Sequence, residues 1–183
     1  ARVTNNIGVA VATSGPGATN LITGICGCYY DSIPLIAITG QVSTFRMTGN
    51  LGVRQIGFQE TPIIDICGPI VKYAVQINNK LDVLYELEKA YTIATTGRQG
   101  PVLIDIPDNL QREYVDLSLC RKYSFSIEKS KDTMGEFESK LGEIIRMINK
   151  SKRPIIIAGW GVHLSQSEHF IKKFAELFGI PIV

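Results

Sequence analysis

The octet Thr13-Ser14-Gly15-Pro16-Gly17-Ala18-Thr19-Asn20 stands between two apolar segments, residues 7–12 before it and a segment beginning at Leu21 after it. This order predicts a buried strand, a glycine-containing turn and the start of a helix. Two glycines around a proline let the backbone turn sharply and let another molecule approach closely. Ser14 and Thr19 are predicted to cap the first amides of the helix. The octet therefore predicts a ligand loop at the carboxyl end of a strand, where open α/β sheets usually bind ligands.

The spacing of the octet differs from two common phosphate-binding loops. Gly17 is followed by Ala18-Thr19-Asn20, so the third glycine of the dinucleotide fingerprint is missing. No Gly-Lys-Ser or Gly-Lys-Thr sequence occurs in the chain, which argues against a Walker-type loop. Taken alone, the octet is also compatible with a tight structural turn.

Composition narrows the class of protein. The chain has 183 residues, 45% hydrophobic and 20% charged, so it can bury a substantial core. A net charge of +2 without a basic stripe argues against a nucleic-acid partner. No apolar run reaches the ~20 residues that a membrane-spanning helix needs, so no membrane partner is expected. The first residues lack the pattern of a signal peptide, and a cytoplasmic protein is therefore expected.

The cysteines and histidines do not predict a metal site. Cys26 and Cys28 are separated by one residue, closer than in the usual metal-binding knuckle. The two histidines, His163 and His169, lie far along the chain and are expected in exposed, non-catalytic positions. All four cysteines are predicted to be buried free thiols: Cys26, Cys28, Cys67 and Cys120.

Short apolar runs rich in β-branched residues, without alternation, are typical of strands buried on both faces of a parallel sheet. They occur at residues 7–12, 35–39 and 102–106, with residues 71–77 as a further candidate. Helices are predicted at 21–30, 63–67 and 80–96; in the last, apolar residues recur every three or four positions. The alternation predicts a three-layer α/β/α domain around a parallel sheet, with right-handed crossovers.

A second domain is predicted after a polar segment. Residues 115–134 are dominated by charged and small polar residues and are interpreted as an exposed linker. Within residues 135–183, a helix at 135–150 precedes a strand at 153–159, a helix at 166–178 and a strand at 180–183. This is the opening βαβ unit of a Rossmann-like domain. Because one such unit cannot cover both faces of a parallel sheet, we expect an internal piece of a longer polypeptide.

Four sequence blocks occur in series: the octet, residues 31–42, Phe58-Gln59-Glu60 and residues 97–107. Together they resemble the acetolactate synthase branch of the thiamine-diphosphate-dependent enzymes, in a family that also includes pyruvate oxidases. The resemblance implies that residues 1–114 form most of a pyrimidine-binding domain, without its N-terminal part. It also implies a parent enzyme, a transferase or lyase, that decarboxylates a 2-oxo acid such as pyruvate and passes the acyl group to an acceptor.

The same resemblance implies the cofactor contacts. The residues that it places at thiamine diphosphate are Gly15, Pro16, Gly17, Asn20, Phe58 and Gln59. Pro16 and Asn20 match positions that line the aminopyrimidine ring; a turn proline and a capping asparagine are the alternative. Gln59 is the implied catalytic residue, since its amide both donates and accepts hydrogen bonds and in the family reaches towards the thiazolium. A surface loop anchored by Phe58 is the alternative there, and Glu60 is predicted to cap a helix starting near Pro62.

Other parts of the family's machinery are implied outside the chain or at its edges. The activating glutamate is expected on sequence before Ala1, and the Gly-Asp-Gly…Asn-Asn segment that holds Mg²⁺ and the diphosphate does not occur in the 183 residues. The chain alone is therefore expected to be inactive. Arg98 matches an arginine that contacts FAD in some flavin-containing members, or else it is a solvated charge or binds carbonyls. Self-association as a homodimer or homotetramer across the cofactor interface is also implied.

The chain departs from the family pattern beside the expected substrate channel. Ser43 replaces a usual proline, residues 44–57 resemble an insertion, and Asp108 stands where a basic residue is expected. Arg46 and Arg54 in the insertion are candidates to bind a substrate carboxylate, or to solvate the loop. The competing hypothesis is a nucleotide-binding or regulatory module without catalysis, using the octet and the turn Gly159-Trp160-Gly161.

Overall fold

Four short segments form a parallel sheet in the first of two units. The computed structural model describes residues 1–125 and 134–183, and the chain divides into Ala1–Ser126 and Ile127–Val183. The strands are β1 (Gly8–Ala12), β2 (Leu35–Gln41), β3 (Tyr73–Gln76) and β4 (Pro101–Pro107). They are arranged in the order β1-β2-β4-β3, and every neighbouring pair is parallel. The strand predicted at 71–77 is present as β3.

Helices cover both faces of this sheet. They are α1 (Pro16–Asn20), α2 (Ile22–Tyr30), α3 (Ile63–Cys67), α4 (Val83–Thr95) and the short α5 (Asp108–Gln111). Ile25 of α2 and Ile63 of α3 pack with Leu103 on one face. Ala90 and Ala94 of α4 pack with Ile104 on the other, and both alanines are fully buried, which brings the helix backbone close to the sheet. The predicted three-layer α/β/α fold is therefore confirmed.

The sheet is not buried evenly. Val9 and Val11 of β1 are 61% and 74% exposed, so the strand predicted to be buried has one exposed face. The reason is the position of α4, which packs against β2, β3 and β4. β2 and β4 lie at the centre of the sheet and are buried on both faces.

The predicted side-chain caps at the first helix were wrong. The N-cap of α1 is Gly15, which has no side chain, and Pro16 occupies the first helical position, where its fixed φ is favourable. The Thr19 hydroxyl donates instead to the carbonyl oxygen of Pro16, at 3.3 Å. The backbone bond from Thr19 N to the Gly15 carbonyl, at 3.0 Å, closes the first turn.

The second unit contains α6 (Met134–Lys150), α7 (Trp160–Leu164) and α8 (Glu168–Phe178). Leu141 and Ile145 of α6 line a small cavity of about 60 Å³ with Phe174 and Phe178 of α8. The strands predicted at 153–159 and 180–183 are reduced to one parallel bridge between Ile156 and Ile182. These two segments pair only with each other in the described part of the unit, and one bridge does not make a ladder.

The predicted linker is described only in part. Residues 115–125 form no helix or strand and are mostly exposed. The rest of its charged run, up to Thr133, lies outside the described residues, and the domain limits at 114 and 135 stay predictions. In the described ranges, no helix is both long and apolar enough to cross a membrane.

Candidate functional site

The carboxyl ends of β1, β2 and β4 open into a cleft of about 630 Å³. The octet contributes Thr13 and Ser14 to its wall, and the strand ends contribute Gly40 and Ile106. Arg46 and Phe58, from the segment after β2, complete it. Parallel strands bring their carboxyl ends to the same edge, which is why segments distant in sequence meet there.

The two glycines of the octet are positions that no larger residue fits. Gly15 has a φ of 62°, and a Cβ built on it would lie 2.7 Å from Cβ of Gln59. A Cβ on Gly17 would lie 2.6 Å from Cγ2 of Thr13. The backbone of the octet therefore packs directly against Gln59, and two of the four sequence blocks touch.

Of the other residues implied at the cofactor, Phe58 lines the cleft, whereas Pro16, Asn20 and Gln59 are not part of its wall. Pro16 and Asn20 are exposed on α1, and the Phe58 ring is 85% exposed. Gln59 is half-buried, and its φ of 68° is left-handed, which is unusual for a residue with a side chain. The bond from Glu60 N to the Gly57 carbonyl, at 3.0 Å, closes the turn that holds this conformation.

Glu60 organises the inserted segment and does not cap a helix. Its carboxylate accepts hydrogen bonds from Thr48 N at 2.6 Å, Thr48 Oγ1 at 2.9 Å and Ile56 N at 3.0 Å. Burial alone would raise its pKa, but these bonds and one from the Gly57 amide hold the pKa below its usual value. The predicted cap of α3 was wrong because the loop amides bind the carboxylate; the N-cap is Pro62.

The structure separates the two arginines of the insertion. Arg46 follows a 3₁₀ turn, Thr44–Arg46, and lines the cleft, with its guanidinium 5.9 Å from the centre of the Phe45 ring. Over residues 1–125 and 134–183 no carboxylate forms an ion pair with Arg46. Arg54 is exposed and is not part of the cleft wall.

Two of the departures from the family pattern meet at the mouth of the cleft. The Ser43 hydroxyl donates to Asp108 at 3.4 Å, and Arg112 pairs with the same carboxylate at 2.9 Å. Next to them, Thr44 and Asn109 exchange two hydrogen bonds, from Thr44 N at 2.9 Å and from Asn109 Nδ2 at 3.2 Å. The inserted segment is thereby tied to α5.

Asp105 is a buried acid that was not among the residues predicted from the sequence. It is 0% exposed, and it accepts hydrogen bonds from Thr39 Oγ1 at 2.6 Å and Gln41 Nε2 at 3.0 Å. Burial raises its pKa to about 6, although both hydrogen bonds oppose the shift. One signal was available: a single carboxyl residue within an apolar run predicted to be a buried strand.

Comparisons with known proteins identify the family of the chain. Residues 1–65 match the model "Thiamine pyrophosphate enzyme, N-terminal TPP binding domain", and residues 141–183 match "Thiamine pyrophosphate enzyme, central domain". The chain belongs to the thiamine pyrophosphate enzyme family.

The similar members of this family are acetolactate synthases. The chain is 39% identical to the acetolactate synthase large subunit of Lactococcus lactis subsp. lactis, over 100% of this chain and 30% of that protein. It is 38% identical to acetolactate synthase 3, chloroplastic, of Brassica napus, over 100% of this chain and 27% of that protein. The chain thus spans about 30% of the length of these thiamine pyrophosphate enzymes.

Arg98 lies away from the cleft. It precedes β4, at the amino end of the sheet, where its Nε donates to Ser32 Oγ at 2.9 Å. Tyr29, Tyr30 and Lys72 surround it, around a hollow of about 390 Å³. The structure therefore does not bring Arg98 together with Gln59, and FAD contact stays a prediction.

None of the four cysteines lines the cleft, and the remaining candidate residues belong to the second unit. His163 lies in the second unit, where Nδ1 is 2.8 Å from Glu168 Oε1. The turn at Gly159 starts α7 in the same unit. Cys67 and Cys120 are buried as predicted, whereas Cys26 and Cys28 are only half-buried, which corrects that part of the prediction. In the described ranges, no group of three or more histidine, cysteine, aspartate or glutamate residues could hold a metal ion.

The contact between Gly15 and Gln59 is testable with a matched pair of glycines. Gly15→Ala and Gly97→Ala both place a Cβ at a left-handed φ, 62° and 59°, but a Cβ at Gly97 meets no atom within 4 Å. We expect Gly15→Ala to lower the free energy of unfolding by about 1–3 kcal/mol more than Gly97→Ala, because it also overpacks Gln59. Denaturant unfolding measures this difference, and equal losses would contradict the close contact.

Proposed function

We propose that the full-length protein binds thiamine diphosphate and uses it to decarboxylate a 2-oxo acid, passing the acyl group to an acceptor. Such an enzyme is a transferase or lyase of the acetolactate synthase type. The observation that carries the proposal is the packing of Gly15 against Gln59 beside the cleft. Gly15 and Gln59 belong to two different blocks implied at the cofactor, are 44 positions apart in sequence, and are neighbours in space.

The exposed residues around this contact fit a flat, polar heteroaromatic ring. Phe58 and Pro16 offer exposed apolar surfaces, and the Asn20 amide can both donate and accept hydrogen bonds. Gly15 and Gly17 carry no side chains of their own, and this lets the octet pack closely beside these groups. These residues would hold the aminopyrimidine. The chemistry that the cofactor supplies when bound is stabilisation of the electron pair left on the carbonyl carbon as CO₂ departs.

Gln59 is the residue proposed to act on the reacting groups. Its amide can donate a hydrogen bond to a developing negative charge and accept one from a protonated group. The left-handed φ of 68° fixes where its side chain starts, and the contact with Gly15 limits its movement. A fixed amide of this kind orients a substrate without itself changing charge.

Mg²⁺ and the diphosphate are proposed to be held by residues outside these 183. The side chains proposed to hold the aminopyrimidine, Pro16, Asn20 and Phe58, are neutral, and neutral hydrogen bonds worth about 1 kcal/mol each do not replace a metal-diphosphate site. We therefore expect the 183 residues alone to release no CO₂. FAD is a further proposed ligand, and its proposed contact is Arg98, which lies at the other end of the sheet.

The role of Gln59 is tested with a second glutamine at the same kind of backbone position. Gln59→Ala and Gln166→Ala both change a glutamine at a left-handed φ, 68° and 53°. In the full-length protein supplied with thiamine diphosphate, Mg²⁺ and pyruvate, we expect Gln59→Ala to lower kcat about 10- to 100-fold. The reason is that the variant lacks the amide that donates a hydrogen bond to the negative charge developing in the reaction. Cofactor affinity should change much less, and Gln166→Ala should match the unaltered protein.

Steady-state release of CO₂ gives kcat, and calorimetric titration gives the Kd of the cofactor. Unchanged turnover in Gln59→Ala would remove this residue from the site. Binding of a nucleotide without thiamine diphosphate binding or CO₂ release in the unaltered protein would contradict the proposed function and favour a nucleotide-binding module.

Arg46 is proposed to bind the substrate carboxylate, because it is the arginine of the insertion that lines the cleft. We expect Arg46→Gln to raise the KM for pyruvate about tenfold, the loss of one charge-assisted hydrogen bond. Arg54→Gln removes the same charge from the same segment and should leave KM within about twofold. Initial-rate measurements over a range of pyruvate concentrations separate the two. A larger KM change in Arg54→Gln would contradict the assignment.

Self-association as a homodimer or homotetramer is proposed across the cofactor surface. Phe58 is 85% exposed there, and Ile66 is 43% exposed on α3. Exposed apolar groups of this size are typical of interaction surfaces. Sedimentation of the full-length protein is expected to give a dimer or tetramer, and a monomer at all concentrations would contradict this.

A further inference from the structure

The buried carboxyl of Asp105 has no part in the function proposed above. It lies on β4 with 0% exposure, and in the described ranges no lysine, arginine or histidine forms an ion pair with it. Its two oxygens are used separately: Oδ1 accepts from Thr39 and Oδ2 accepts from Gln41. Burying an ionised acid that is satisfied only by neutral donors costs free energy.

Gln41 connects Asp105 to the segment that carries Gln59. Its Nε2 donates to Asp105 Oδ2 at 3.0 Å and to the Thr61 carbonyl oxygen at 2.8 Å. Its Oε1 accepts from Val42 N at 3.0 Å. All three partners are satisfied in this orientation of the amide. A flipped amide would place Oε1 against a carboxyl and a carbonyl oxygen, so the acceptor at Asp105 helps to fix the direction of the Gln41 amide.

Thr61 is the point at which the turn around Gln59 is anchored. Its carbonyl accepts from Gln41 and from Ile63 N, at 2.8 Å each. Its hydroxyl donates to the Gln59 carbonyl oxygen at 3.4 Å. Gln59 is therefore held at one end by Thr61 and against Gly15 on its side, in a conformation with a φ of 68°. A free Gln59 would leave this left-handed region.

We propose that Asp105 is a positioning residue that acts through Gln41 and Thr61 to hold Gln59 beside the cleft. The catalytic consequence rests on the proposed function, because it requires that Gln59 acts on the reacting groups. The positional consequence does not, since it concerns only the segment 57–61.

Four variants of the full-length protein separate this role from a contribution to stability. Asp105→Leu removes both acceptors, whereas Thr39→Val removes the other bond to Asp105 and leaves the Gln41 arm in place. The double variant Asp105→Leu/Thr39→Val replaces both groups by apolar ones, which restores stability because no lone hydroxyl stays buried. Asp105→Asn keeps an oxygen for Gln41, and its amide can donate to the Thr39 hydroxyl.

We expect kcat to fall about tenfold in both variants that carry Asp105→Leu, because one hydrogen bond that positions Gln59 is lost. The KM for pyruvate and the Kd for thiamine diphosphate should stay within about twofold of the values for the unaltered protein. Thr39→Val and Asp105→Asn should stay within about twofold in kcat. Amide hydrogen exchange of residues 57–61 should be faster in the two Asp105→Leu variants and unchanged in the other two, whether or not pyruvate is turned over.

The outcomes are distinct. If kcat and the amide exchange rates of residues 57–61 change only in proportion to the melting temperature across the four variants, Asp105 contributes only to stability and the inference is overturned. If Gln59→Ala loses activity while the Asp105→Leu variants keep kcat and exchange rates, the inference fails and the proposed function stands. If the unaltered protein shows no turnover, the proposed function fails, and the exchange of residues 57–61 still decides the positioning role.

Discussion

Gly15 has no side chain, and the Gln59 side chain occupies the space that one would need. Cβ of Gln59 would lie 2.7 Å from any Cβ at position 15, so the turn after β1 and the turn before α3 are fitted to each other. Both residues at the contact have a positive φ, 62° at Gly15 and 68° at Gln59. The rest of the site depends on this contact. The start of α1 follows the first of these turns, and the exposed Phe58 lies in the second.

The parallel register of β2 and β4 supplies the support beneath that contact. Thr39 pairs with Asp105 in the ladder, so their side chains emerge on the same face and meet. Gln41 is two residues further along β2 and reaches the same carboxyl from the same face. A one-residue change of register would send these side chains to opposite faces and break the link to Thr61. The sheet therefore positions a surface turn through a buried polar network, while Glu60 fixes the insertion from outside.

Much of the fold was predictable because its signals are local. The apolar runs at β2 and β4 and the helical period of α4 indicate a parallel α/β domain directly. The octet predicts a turn at the carboxyl end of β1, and the structure has it. The buried face predicted for β1 was wrong, because coverage by α4 depends on where the helix packs and no local pattern carries that information. The two strands predicted in the second unit are reduced to a single bridge for a related reason, because a strand forms only where a neighbouring strand pairs with it.

The site was predictable only where residues adjacent in sequence act together. The octet and Phe58-Gln59-Glu60 were found as blocks, through their likeness to thiamine-diphosphate enzymes. Their contact, the network of Asp105 and the role of Glu60 were not found, because each joins residues that only the fold brings together. Ser14 and Thr19 satisfied the sequence preference for a helix cap, but Gly15 occupies that position because Gln59 leaves no space for a side chain.

We propose that the turn at Gly15 and the turn at Gln59 together form the pyrimidine side of a thiamine diphosphate site. The most direct test is a crystal structure of the full-length protein with thiamine diphosphate and Mg²⁺. We expect the aminopyrimidine ring to lie within van der Waals contact, about 4 Å, of Pro16, Asn20 and Phe58, with the Gln59 amide facing the cofactor. A cofactor that binds elsewhere and touches neither the octet nor Phe58 and Gln59 would contradict it.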